Sequence, residues 1–114
     1  MTLRQVGALE AQLAKIPEDA RARILLAGSY ARLNRSDDAT REATMALTLR
    51  PNDTLMLYNT ACVFATIGRK AEAMNSLRKA WENGWRDSEW ARRDPELAAL
   101  RDDPEFDRLF PASA

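Results

Sequence analysis

The chain contains one cysteine, Cys62, and no histidine, so few of its side chains can do covalent or proton-transfer chemistry. Without histidine there is no Ser-His-Asp or Cys-His nucleophilic site, no HExxH motif and no Cys/His zinc site. A thiol attacks only as thiolate, and Cys62 sits in an apolar stretch, where it reads as an inert small side chain. Two carboxylate groups remain, Asp94 with Glu96 and Asp102 with Asp103. Paired carboxylates can divide general acid and base work. Here each group precedes or spans a proline, in Asp94-Pro95 and Asp103-Pro104. Aspartate ahead of a proline at the first helical position caps a helix, and capping accounts for both groups. The expectation is a protein that is not an enzyme, with no cofactor and no metal.

The other surface chemistries are equally sparse. Lysine plus arginine and aspartate plus glutamate both number 17 in the 114 residues, for a formal net charge of zero. Phosphate neutralisation needs a basic excess, and Arg92-Arg93 is too short a basic run to supply one. No nucleic-acid partner is expected. No stretch reaches the apolar length of a membrane span, so membrane insertion is not expected either. No secretory apolar region opens the chain, which favours a cytoplasmic protein; the Asn34-Arg35-Ser36 acceptor pattern then carries no glycan. Trp81, Trp85 and Trp90 are expected to wedge the C-terminal part against the helices before it.

The elements that must position these residues are helical throughout. Leu3, Val6, Leu9, Leu13 and Ile16 recur at spacings of three and four, an amphipathic stripe that Pro17 ends. A second helix is expected over about 20–33, stopped by Asn34. Ser36 is the expected N-cap of a third helix over about 37–49. Pro51-Asn52-Asp53 closes that helix and caps a fourth, which ends at Gly68. A fifth runs over about 70–83 and ends at Gly84. Short elements follow from Ser88, Pro95 and Pro104, carrying Leu97, Leu100, Phe106, Leu109 and Phe110. Residues 111–114 are expected to fray.

The chain repeats itself. Offsetting 20–53 by 34 residues onto 54–87 aligns Ala27 with Ala61, Ala31 with Ala65, Arg35 with Arg69, Ala39 with Ala73, Ala46 with Ala80 and Asp53 with Asp87. Small residues recur where helices would cross closely, with Leu26, Tyr30 and Leu33 or Phe64 and Ile67 beside them. Two helices per period near 34 residues is a solenoid signature. On these residues the chain resembles the tetratricopeptide repeat (TPR) family, whose pattern is W-x2-L-G-x2-Y, A-x3-F, A and P. The first repeat reads Arg23-x2-Leu26-Ala27-x2-Tyr30, Ala39-x3-Ala43, Ala46 and Pro51. The second reads Leu57-x2-Thr60-Ala61-x2-Phe64, Ala73-x3-Leu77 and Ala80. Both lack the leading tryptophan, and Trp85 stands where the second proline belongs.

The resemblance implies an all-α, right-handed superhelical solenoid of antiparallel helix pairs, forming one domain over 1–110. Within it, 1–17 is a partial repeat, 20–53 and 54–87 are full repeats, and 88–110 is a capping tail of the kind that ends some bacterial arrays. It also implies a module that binds a protein or peptide ligand in a concave groove lined by the first helix of each repeat. Carried over by position, that groove holds Ile24, Gly28, Ala31, Arg32, Leu55, Tyr58, Asn59, Cys62 and Thr66, with Arg93 at its far end. Arg21, Ala65 and Trp90 border it. The lysine and asparagine with which some TPR proteins clamp a terminal carboxylate are replaced here by Ile24 and Gly28, and Glu89 replaces a second lysine. An alternative reading puts the interaction at the first helix. There Leu3, Val6, Leu9 and Leu13 would form a homodimer or dock on a further domain of a larger protein.

Overall fold

The structure is a computed structural model describing residues 2–110, with side chains described from Arg4 onward. The expected fraying of 111–114, and the side chain of Leu3, lie outside the described residues. The helices are α1 (Thr2–Lys15), α2 (Ala20–Arg32), α3 (Ser36–Leu49), α4 (Thr54–Thr66), α5 (Lys70–Glu82), α6 (Ser88–Arg93) and α7 (Pro104–Leu109), with a 3-10 helix (Pro95–Leu100) between the last two. The described residues contain no strand.

Local chemistry sets the boundaries. Asp19, Asp53 and Asp87, at the 34-residue spacing, cap α2, α4 and α6. Their carboxylates accept from the amides of Ala22, of Leu55 and Met56, and of Trp90. The C-terminal ends repeat too. Asn34 (φ 61°), Gly68 (φ 87°) and Gly84 (φ 110°) take the left-handed conformation after α2, α4 and α5. The amide beyond each turns back onto the helix: Arg35 to Tyr30 O at 2.9 Å, Arg69 to Phe64 O at 2.8 Å and Trp85 to Ala80 O at 2.9 Å. This closure uses carbonyls the helix end would leave unpaired.

One cap differs from expectation. Ser36 is already helical, and Arg35 holds the cap position without a side-chain bond. The closure at Tyr30 pulls Arg35 into that place, and Asp37 and Asp38 supply the negative charge the first turn favours.

Consecutive helices pack on one another: α1 on α2, α2 on α3, α3 on α4 and α4 on α5, with α2 also against α4. Ala27, Ala39, Ala43, Ala46, Ala61, Ala73 and Ala80 are fully buried at these contacts. Alanine there lets helix backbones approach closely. The described residues extend over 48 × 26 × 20 Å.

The α1 stripe belongs to this packing. Val6 is buried in the cluster around α2, and Leu9 and Leu13 are partly buried against it. The stripe that the alternative reading makes an interaction surface thus lies at Val6, Leu9 and Leu13 against α2. The Tyr30 hydroxyl, which donates to Glu10 Oε2 at 2.7 Å, ties α2 to α1 as well.

The tail starts in register and then departs. Ser88 follows Thr54 by the repeat interval, so α6 begins where a third repeat would. It stops after Arg93, because Pro95 lacks an amide donor and disfavours helical geometry at Asp94. The 3-10 helix then lies along α4, and α7 packs on α5. Trp81 and Trp85 meet the Phe110 ring edge-on at 5.5 and 5.9 Å, and Phe106 meets it at 5.2 Å. Arg92 donates to Phe110 O (2.6 Å), Arg101 to Asp94 O (2.7 Å), and Arg78 pairs with Glu105 at 2.5 Å. Trp81 and Trp85 thus hold the tail to the last repeat, whereas Trp90 stays exposed.

Candidate functional site

α2, α4 and the 3-10 helix together enclose a cleft of about 180 Å³. Ile24 and Val63, both buried, form its apolar base. Leu25, Asn59, Arg32 and Glu96 rise around it, and Gly28 leaves one side open. A Cβ built on Gly28 would meet only the Arg32 guanidinium, at 3.6 Å and beyond. Nothing in the packing of α2 therefore requires glycine there. Its effect is to leave room over the helix, at a cost in helix propensity of about 1 kcal/mol.

The rim is charged but loosely tied. Arg32 Nη1 stands 3.6 Å from Glu96 Oε1, and both side chains are about half exposed. An exposed pair at that distance contributes little to stability. On the other side of Leu25 and Arg32 lies a second cleft of about 240 Å³, reaching Gln5, Ala8 and Leu9 of α1 and Ser29 of α2. The two clefts share Leu25 and Arg32. They make one interrupted strip across α1, α2 and α4, with the 48% exposed Leu25 as the ridge between them.

The face of α4 turned toward the tail is closed. Tyr58 and Cys62, expected in an open groove, are both buried. The cause is the proline break at Pro95, which sends the chain back along α4 instead of onward as a third helix. The Tyr58 ring stacks on Trp85 at 4.5 Å, its planes 19° apart. Its hydroxyl donates to Asp94 Oδ2 at 2.5 Å, and the Cys62 thiol lies 3.9 Å from the same oxygen. Asp94 Oδ1 accepts the Glu96 amide at 3.0 Å, so the expected cap is made and the second oxygen serves α4. Burial pushes the Tyr58 hydroxyl up from its ordinary value, and its bond to Asp94 pushes it further. Burial pushes the Cys62 thiol up as well, with the Asp94 and Glu96 carboxylates adding to it. Both groups are protonated at neutral pH, which leaves the thiol a poor nucleophile.

Of the residues the repeat register places in the groove, Ile24, Gly28, Arg32 and Asn59 line the cleft. The others lie elsewhere. Ala31 is buried in the cluster around α2. Leu55 is exposed beside the turn between α3 and α4, where Arg21 also lies. Thr66 is exposed at the end of α4 and donates to Cys62 O at 2.8 Å. Arg93 is exposed on α6, away from the cleft lining. Leu25, Val63 and Glu96 were not expected there. The first two are neighbours of expected positions on α2 and α4, and the 34-residue register could have found them; Glu96 arrives only through the fold-back of the tail.

Among the described residues, no three cysteine, aspartate or glutamate side chains are grouped to hold a metal ion, and no helix is long and apolar enough to cross a membrane. The chain matches no family model, no curated protein and no solved structure.

Proposed function

We propose that this chain is a TPR-like helical-repeat module that binds a segment of a partner protein along the strip across α1, α2 and α4. One observation carries the reading: Ile24, Gly28, Arg32 and Asn59, four positions that the repeat register assigns to a ligand groove, line a single open cleft. The 34-residue recurrence of caps, left-handed turns and buried alanines supports the repeat assignment. An apolar base under a few polar groups is the usual make-up of a recognition site. The ionisable groups at the cleft are one loose ion pair, which favours binding over catalysis.

The test is selection of a displayed random-peptide library on the folded chain, compared with a Gly28→Leu variant. Leucine is a good helix former, so the variant keeps α2 and fills the cleft. Peptides selected on the natural chain should bind the variant at least about tenfold more weakly, a loss of about 1.4 kcal/mol. Peptides that bind both proteins equally would place recognition elsewhere.

A further inference from the structure

We propose that the partner segment presents a carboxylate to Arg32, and that Glu96 is an internal stand-in for it which the partner displaces. This rests on the peptide-binding reading above and names the chemistry of its ligand. Arg32 and Asn59 both border the cleft, and among the described residues neither side chain donates a hydrogen bond to any protein group. Arginine carries five N–H donors in a fork that matches a carboxylate. The one acid that reaches it, Glu96, stops at 3.6 Å, too far for a hydrogen bond.

The two acids of the tail behave differently, and the contrast identifies the replaceable one. Asp94 is buried and fixed by Tyr58 and by the Glu96 amide. Glu96 is about half exposed, and among the described residues its carboxylate meets only the Arg32 guanidinium at 3.6 Å and the Cys62 thiol. Its removal from Arg32 leaves the tail anchored through the buried Asp94 and through Leu97 and Leu100, two leucines that are fully buried. A partner acid can therefore take over Arg32 without unfolding the tail, while an adjacent aliphatic side chain enters between Ile24 and Val63.

Three labelled peptides, alternating leucine with glutamate, glutamine or lysine, test this by fluorescence anisotropy at low salt on the full chain. The glutamate peptide should bind about two- to fivefold more tightly than the glutamine one, the range of an exposed ion pair. Arg32→Gln should erase that preference, and Glu96→Gln should tighten the glutamate peptide by a similar factor without moving the denaturation midpoint. Equal binding of the glutamate and glutamine peptides, or no gain from Glu96→Gln, would overturn the charge assignment while leaving the groove. Tightest binding by the lysine peptide would also overturn it. Binding of none of the three would overturn both the charge assignment and the groove.

Discussion

Tyr58 joins the repeats to the tail through one oxygen of Asp94, and among the described residues that buried carboxylate forms no ion pair, the Arg101 guanidinium bonding the Asp94 backbone carbonyl instead. Tyr58→Phe would leave Asp94 Oδ2 only the distant Cys62 thiol. It should therefore cost about 1–3 kcal/mol in chemical denaturation, the penalty of an unsatisfied buried acceptor. The two tyrosines should also be slow to ionise. Burial, then the bond to Glu10, pushes Tyr30 up to about 12 from an ordinary 10.0, and Tyr58 is raised as well. A raised folded value means stability that is fully present below the unfolded value near 10.0 and lost as pH rises through about 12. Tyrosinate absorbance should thus stay flat past the ordinary value and rise together with unfolding; ionisation at the ordinary value with the helices intact would refute the burial of both rings. None of this was legible at Tyr58 itself. Its place in the repeat register points into the groove, and only the return of Asp94, 36 residues later, covers it.

At the scale of the element the reading was far more complete, because helix ends are decided locally. Pro17, Asn34, Pro51, Gly68 and Gly84 mark their boundaries by backbone conformation alone, and the aspartate caps by a side chain within reach of the next turn. Ser36 is the exception, since a closure six residues long, from Tyr30 to Arg35, moved the start of α3. Three substitutions check the element account. Asp53→Ala removes the acceptor of two amides and should cost about 0.5–2 kcal/mol. Ala39→Leu and Ala73→Leu each force bulk into a fully buried helix contact and should cost about 1–3 kcal/mol, equally in both repeats. Thermal or denaturant unfolding reads all three. A large difference between Ala39 and Ala73 would mean that the two helix pairs do not share one packing scheme.

In the whole molecule, the tail decides what surface is left. The repeat interval predicts that a helix starts at Ser88, and Pro95 predicts that it stops, but neither says where the chain goes next. That direction depends on Trp81, Trp85, Phe106 and Phe110 closing over α5 and on Asp94 reaching Tyr58, contacts too distant in sequence for any local pattern to carry. Phe110→Ala should consequently cost about 3–5 kcal/mol and raise the reactivity of Cys62 toward thiol reagents, because the ring holds the segment that covers the thiol. With the face of α4 that carries Tyr58 and Cys62 closed by the tail, the strip over Ile24, Gly28, Arg32 and Asn59 is the surface on which the proposed function stands. A second exposed apolar group, Ile16, Met45, Leu49 and Leu55, lies near the turns instead. Amide chemical-shift mapping with the tightest library-selected peptide separates the two most directly. The account predicts shifts concentrated on Leu25, Gly28, Arg32, Asn59, Val63 and Glu96; shifts centred on Ile16, Met45 and Leu49, with the cleft silent, would contradict it.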